Sequence, residues 1–119
     1  MKPLRWASSA KEDLLAFPPD VVREVGHALY LAQIGGKHLG VKPLKGFHGA
    51  GVLEIVEAHD GDTFRAVYTV RFAGIVYVLH AFQKKAKRGI ATPAREMDMV
   101  KTRLRWAEGD YAEWIRSGG

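Results

Sequence analysis

Two short turn signals within residues 51–83 constrain the fold of this chain more than any other feature. Asp60-Gly61 separates two segments rich in β-branched and aromatic residues, and Ala73-Gly74 separates the second segment from a third. An aspartate-glycine pair is typical of a tight hairpin, because both residues tolerate positive φ. Connections this short join antiparallel neighbours. We therefore predict an antiparallel meander of three strands, over residues 51–58, 63–71 and 75–83.

Two helices are predicted before the meander. Ser9 is a candidate N-cap, and Glu12 three residues later completes a capping-box pattern. Pro18 ends this first helix, whereas Pro19 suits the first turn of a second one. Apolar residues then recur at helical spacing as far as the glycine pair at 35–36, which is a stop signal. The two segments are expected to form a helical hairpin with one apolar side.

The remaining segments complete an α+β fold. Residues 2–7 are predicted as a short edge strand, and the glycine-rich, basic residues 37–50 as a loop. Thr92 is a candidate N-cap of a last helix, with Pro93 at its first position. The order is then β-α-α-β-β-β-α, a small antiparallel sheet with helices packed on one face and the other face left for solvent or a partner. Residues 1–119 are predicted to form a single domain.

The composition narrows the classes of function. The 119 residues include no cysteine, which excludes disulfides and thiolate metal sites and favours a reducing, cytoplasmic location. No apolar segment approaches the ~20 residues that span a bilayer, so no membrane partner is expected. No histidine pair has the i, i+4 spacing of a helical metal site, and no metal or cofactor is predicted. The net charge of +5 favours an anionic partner such as nucleic acid or an acidic protein.

The second meander strand carries two arginines on one face. Alternation in TFRAVYTVR places Arg65 and Arg71 together, opposite Phe64 and Tyr68. Each guanidinium either contributes to a cationic sheet surface or pairs with a carboxylate on the neighbouring strand, such as Glu54 or Glu57. We favour the cationic surface for Arg65 and the ion pair for Arg71.

The third strand, YVLHAFQKKAKRG, leads directly into a dense group of cations. His80, Phe82 and Lys84 share one face. A histidine can transfer protons near neutral pH, an aromatic ring can stack on a base, and lysines can hold phosphates. The alternatives are a hydrogen-bonded structural histidine and a core phenylalanine. The cluster at the strand end, which we predict to face a polyanion, consists of Lys84, Lys85, Lys87 and Arg88.

Three motifs in combination resemble a known family. They are FRAVY on the second strand, LHAFQKK at the end of the third, and TPAREMD at the start of the last helix. Together with the element order, they resemble the phage-derived, HigB-like toxins of the RelE/ParE toxin superfamily. The resemblance implies a RelE-like fold and the toxin of a type II toxin–antitoxin pair. It further implies a metal-free endoribonuclease that cleaves mRNA on the ribosome, with the RNA 2′-hydroxyl as nucleophile and a helix-turn-helix antitoxin as partner.

The resemblance also implies roles for individual residues. Arg65, Lys84 and Lys85 match the phosphate-binding and charge-stabilising positions, and His80 matches a strand histidine that is either an acid–base group or structural. The candidate RNA-binding residues are Lys45, Phe82, Lys87 and Arg88.

One departure from the family pattern leaves other activities open. Many relatives have the sequence E-L-R in the first meander strand, whereas this chain has a valine, Val56, in place of the arginine. A cation expected near the sheet face is therefore missing. The alternatives are a ParE-like inhibitor of DNA gyrase and a non-toxic phage remnant that only binds an antitoxin.

Overall fold

The computed structural model describes residues 1–47, 51–84 and 92–119. Its elements within these ranges are β1 (Leu4–Trp6), α1 (Ala10–Leu15), α2 (Pro19–Gln33), β2 (Val41–Pro43), β3 (Val52–His59), β4 (Asp62–Thr69), β5 (Val76–Lys84) and α3 (Ala94–Arg116). None of the helices in the described ranges combines the length and the apolar character that a membrane crossing requires. The α+β class predicted from the sequence is confirmed.

The strands form a single five-stranded sheet in the order β1-β5-β4-β3-β2. The predicted meander of β3, β4 and β5 is antiparallel throughout. Asp60 and Gly61 have φ angles of 49° and 83°, as a hairpin turn with two left-handed residues requires. The turn signals in the sequence therefore identified the centre of the sheet correctly.

The sheet is mixed and not purely antiparallel as predicted, because the strand at one edge runs parallel to its neighbour. β1 pairs in parallel with β5, because α1, α2 and three further strands return the chain to the same edge before β5 begins. β2 lies in the segment predicted as a loop and pairs with β3, which brings Val41 opposite Ile55. A three-residue strand that ends at Pro43 has too short a pattern to be recognised locally. It forms because the side chain of Val41 is buried against the core.

Helices cover both faces of the sheet, not one face as predicted. α1 and α2 pack on one side against residues such as Ile55, Tyr68 and Val78. α3 packs on the other side, where its Val100 and Leu104 meet side chains of β4 and β5. The reason is visible in β5, which is buried at consecutive positions from Val76 to Phe82. Such a continuous apolar strand needs cover on both faces, and an alternating strand does not.

A β-bulge in β5 changes the direction of its last side chains. Val67 of β4 pairs with His80, but the next residue, Tyr68, pairs with Val78. Leu79 is therefore the extra residue on β5, and the strand twists locally. As a result, both Leu79 and His80 contact the layer formed by α3.

The helix starts differ in detail from the predictions. Pro19 opens α2 as expected, whereas Ser9 precedes α1 without a side-chain capping bond. The Ser9 hydroxyl instead donates to Asp13 Oδ2 at 2.8 Å, so the predicted capping box does not form. At α3 the N-cap is Pro93 and not Thr92 as predicted, so the helix begins one residue later than expected, at Ala94.

One carboxylate of α3 connects the helix to two strands. Asp110 accepts hydrogen bonds from Arg5 Nε at 2.8 Å and from Arg5 Nη2 at 3.0 Å. It also accepts one from the hydroxyl of the fully buried Tyr77, at 2.7 Å. The hydrogen bond from Arg5, assisted by the one from Tyr77, lowers the pKa of Asp110 below its ordinary value of 3.8. Asp110 therefore joins β1, β5 and α3 in its ionised form.

We expect Asp110→Asn to lower the free energy of unfolding at neutral pH by about 1–3 kcal/mol, because the charge that strengthens these hydrogen bonds is lost. Since the folded pKa of Asp110 lies below the unfolded one, its contribution is complete above 3.8 and disappears as the pH falls through the folded pKa. The difference between the two proteins should therefore shrink as the pH drops below 3.8. Urea unfolding at a series of pH values measures both effects.

Glu113→Gln is the matched control on the same helix. Glu113 pairs with Arg116 one turn away, and the Glu113 and Arg116 side chains are 70% and 68% exposed. This pair should contribute little to stability. A loss in Asp110→Asn no larger than in Glu113→Gln would contradict the role assigned to Asp110.

Candidate functional site

Strand pairing brings a group of charged side chains together on the face of the sheet that α3 covers. Lys42 pairs with Glu54, and Glu54 in turn with Val67. Arg65, two residues from Val67, pairs with Phe82, and Lys84 lies two residues further along β5. Paired residues share a face, as do residues two apart on one strand. We call Lys42, Glu54, Arg65 and Lys84 the charged cluster.

The centre of the charged cluster is a buried ion pair. Arg65 Nη1 donates to Glu54 Oε2 at 3.0 Å, and both side chains are only 6% exposed. The carboxylate pairing that the sequence analysis weighed for Arg65 is therefore present. Lys42 Nζ lies 3.9 Å from Glu54 Oε1 and is largely exposed. The same carboxylate thus interacts with cations from two different strands.

Lys84 adds a third cation to this group. Its side chain is buried, and burial lowers the pKa of the ammonium group. The positive charge of Arg65 lowers this pKa further, while the negative charge of Glu54 acts in the opposite direction. The four side chains of the charged cluster carry three positive charges and one negative charge in their ordinary ionised forms. The cluster is therefore suited to an additional anion.

A cavity of about 220 Å³ adjoins the charged cluster, between β2 and the start of α3. It is lined by Lys42, Pro43, Leu44, Lys45, Glu54, Thr92 and Met97. Lys45, a predicted RNA-binding residue, is exposed, whereas Leu44 is buried. The volume is smaller than the ~300–1,000 Å³ of sites for drug-sized ligands, so it suits a single flat ring system.

His80 lies deeper, between β5 and α3. Its Nε2 is 2.9 Å from Glu96 Oε1, and its Nδ1 is 3.1 Å from Arg103 Nη1. A guanidinium group can only donate, so Nδ1 must accept and the ring proton must be on Nε2, where it is donated to Glu96. Both nitrogens of a neutral imidazole are thus engaged. The structural alternative for His80 agrees with this geometry, and its catalytic role stays a prediction.

Arg103 is a residue that the sequence analysis missed. It is buried on α3, and its Nη1 also donates to the carbonyl oxygen of Leu79, at 3.0 Å. Its Nη2 lies 3.3 Å from the Ser9 hydroxyl, which connects α3 to the start of α1. The sequence did indicate that position 103 is buried, because it falls within the apolar stripe formed by Val100, Leu104 and Ala107. A buried arginine requires partners, and here they include the residues around the bulge.

The other predicted site residues fall into three groups. Phe82 is buried in the core, where its ring stacks on that of His80 with 5.0 Å between the ring centres. Arg71 is exposed, and its guanidinium carbon lies 5.6 Å from the centre of the Phe72 ring. The described residues supply no carboxylate partner for Arg71, contrary to the ion pair expected for it. Lys85, Lys87 and Arg88 lie outside the described residues.

The comparison with known families gives one match. Residues 12–105 match the family described as phage derived protein Gp49-like (DUF891). This range is well over half of the 119 residues. No curated protein and no solved structure matches the chain. The phage-derived part of the resemblance noted in the sequence is therefore confirmed, while the HigB-like and RelE/ParE assignments stay predictions.

We expect the ring proton of His80 to be on Nε2 in the folded protein, because Arg103 occupies Nδ1 as a donor. Long-range ¹H–¹⁵N correlation spectra of the imidazole rings measure this directly. Arg103→Met should remove the preference for the proton on Nε2, because it removes the donor to Nδ1 while keeping a long side chain. An Nδ1–H tautomer or a doubly protonated ring in the unmodified protein would contradict the hydrogen-bond assignment.

Proposed function

The chain belongs to the phage-derived Gp49-like family, and we propose that it is the toxin of a type II toxin–antitoxin pair that cleaves mRNA on the ribosome. The observation that carries this proposal is the charged cluster, in which three cations surround one carboxylate beside a small cavity. RNA matches this arrangement, because it is a chain of phosphates with a flat base next to each one. The partner that neutralises the toxin would be a helix-turn-helix antitoxin.

The charged cluster would bind the phosphate at the cleavage point. Lys42 and Lys45 are exposed and would make the first contacts with the RNA backbone. Arg65 and Lys84 are buried, so the scheme requires this face to open locally when RNA binds. A phosphodiester placed there would be close to both the guanidinium and the ammonium group. These groups would stabilise the charge that develops on the phosphate oxygens in the transition state.

The cavity would hold a nucleobase next to that phosphate. The side chains of Leu44 and Met97 supply apolar surface to the cavity, and Lys45 adds a cation to its lining. Any of the four bases can fit such a site, because every base has flat ring faces that contact apolar side chains. Phe82, which was predicted to stack on a base, is instead buried against His80. We therefore assign the base-binding role to the cavity.

Glu54 and Lys84 are the groups suited to proton transfer. The ribose 2′-oxygen would attack the neighbouring phosphorus, and the Glu54 carboxylate would take its proton. The bond from phosphorus to the 5′-oxygen would break, and Lys84 would give that oxygen a proton. A lysine with a lowered pKa is a better donor near neutral pH than an ordinary one. The products would be a 2′,3′-cyclic phosphate and a 5′-hydroxyl, with no net change in protons.

His80 would be a positioning residue in this scheme. Its ring stacks on Phe82, the cross-strand neighbour of Arg65. Its hydrogen bonds to Glu96 and Arg103 hold β5 against the start of α3, next to the cavity. The histidine would therefore act on the reaction through the placement of other groups.

Inducible expression in bacteria, with mapping of new 5′ ends in transcripts, tests the proposal. We expect growth arrest and new ends inside translated coding regions. Lys84→Met should reduce cleavage by about 10²–10⁴-fold, because a proton donor is lost while the side chain keeps its length. Glu54→Gln should have an effect of similar size, since an amide cannot accept the proton.

Lys101→Ala is the matched control, because it removes a positive charge from an exposed position of α3. It should cleave as the unmodified protein does. Circular dichroism and urea unfolding are measured on Lys84→Met and Glu54→Gln, because both change buried side chains and only a folded variant tests the chemistry. Arrest with intact transcripts would contradict the proposal and favour gyrase inhibition, and harmless expression would favour a remnant that only binds an antitoxin.

A further inference from the structure

A second group of polar side chains lies on the opposite face of the sheet, far in sequence from the charged cluster. Glu24 and His27 are three residues apart on α2, so they share one side of the helix. The segment after α2 brings His38 to the same place. One potential ligand atom from each of these three residues lies within 4.8 Å of the others. The His27 and His38 rings meet edge to face, with 5.4 Å between their centres.

A fourth group, Glu57, approaches from β3. A methyl group placed on Gly40 would lie 3.2 Å from His38 Nδ1 and 3.7 Å from Glu57 Oε2, so the ring and the carboxylate flank the same point. Glu57 thus lies on the Nδ1 side of the His38 ring, and rotation of its side chain would bring it to the point shared by Glu24, His27 and His38. The Glu24 and Glu57 carboxylates are close enough to repel each other. A cation between the carboxylates would relieve their repulsion.

We propose that Glu24, His27 and His38 bind a Zn²⁺ ion, with Glu57 as the fourth ligand. Imidazole nitrogen and carboxylate oxygen are ordinary zinc ligands, and four of them match the tetrahedral preference of this ion. The same set lacks the number of oxygen ligands that Mg²⁺ or Ca²⁺ requires. Sequence spacing alone passes over this site, because only Glu24 and His27 are close in sequence.

Two adjustments accompany metal binding. The Gly40 amide donates to His38 Nδ1 at 2.8 Å, so Nε2 carries the ring proton and faces Glu24. Coordination through Nε2 moves this proton to Nδ1 and releases the Gly40 amide to solvent, where water replaces the bond. In a tetrahedral site with zinc bonds of ~2.0–2.2 Å the ligand atoms lie roughly 3.3 Å apart, so Glu24 and His38, which are in direct hydrogen-bond contact, must move apart to admit the ion. His27 is exposed and the Glu24 side chain is 42% exposed, so rotation of these side chains is unhindered.

A bound zinc ion would hold three parts of the fold together. The ion would join α2, the segment that leads to β2, and β3, which carries Glu54 on its other face. It would act on stability and on the placement of β2, with no contact to the charged cluster. The inference is therefore independent of the proposed cleavage of RNA.

Calorimetric titration of the protein, prepared without a polyhistidine tag, with Zn²⁺ tests the proposal. We expect saturable binding of one ion per chain, a rise in melting temperature with Zn²⁺ concentration, and no comparable effect of Mg²⁺. Co²⁺ in place of Zn²⁺ should give the absorption bands of a four-coordinate site. His27→Ala should lower the affinity at least ~10-fold, because a ligand contributes more than an outer-shell partner.

His59→Ala is the matched control. His59 ends β3 beside Asp60, whose carboxylate lies 3.3 Å from His59 Nε2, and it is not part of the proposed site. Its replacement should leave zinc affinity unchanged. Because His27 is exposed, its replacement should leave the fold intact. Absence of saturable binding, or equal affinity in His27→Ala and the unmodified protein, would overturn the proposal.

Discussion

The buried ion pair between Arg65 and Glu54 is the interaction on which the architecture of this face depends. Two charges removed from water are tolerated only when they satisfy each other, and loss of one partner of such a pair costs about 3–5 kcal/mol. The pair joins β3 to β4 at the centre of the sheet, with a distance of 3.0 Å between Arg65 Nη1 and Glu54 Oε2. Lys42 and Lys84 then approach the same carboxylate from β2 and β5. A satisfied pair thus becomes the centre of a group with more positive than negative charge.

The apolar part of the same face determines where α3 lies. Val67 and Leu79 pack against Val100 and Leu104, so the body of the helix covers the middle of the sheet. The bulge at Leu79 directs His80 toward the helix, and Arg103 and Glu96 hold its two ring nitrogens. The start of α3 is thereby fixed beside the cavity, to which Met97 contributes. Packing and hydrogen bonding on one half of the face thus position the candidate site on the other half.

The sequence predicted those features that depend on neighbouring residues. The turn at Asp60-Gly61 and the helix start at Pro19 are local, because backbone preference and the missing amide hydrogen act within a few residues. The alternation in β4 likewise placed Arg65 and Val67 on one face correctly. A short element such as β2 escaped prediction, because it exists only through its pairing with β3. β1 was predicted as a short edge strand, but its parallel pairing was not, because its partner is more than 70 residues away in the chain.

The candidate site was also predictable only in part, because some of its residues are recognised locally and others are brought together by strand pairing. Arg65 and Lys84 were identified from their residue type and position, and Lys45 through the resemblance to a toxin family. All three lie in or beside the charged cluster. Sequence alone left Glu54 as one of several possible partners for Arg65, because register decides which carboxylate is adjacent. Lys42 was hidden in a segment without a local strand pattern. The bulge that turns His80 toward Arg103 also has no sequence signature, since it arises from the twist of two paired strands.

The central claim is that the charged cluster and its cavity bind RNA. Titration of ¹⁵N-labelled protein with a single-stranded RNA, protected from cleavage by 2′-O-methyl groups, tests it most directly. The account predicts that amide shifts concentrate on β2, on Glu54 and Arg65, and at the start of α3, and that binding weakens as salt rises. Shifts confined to the α2 face, or no shifts at low salt, would contradict it.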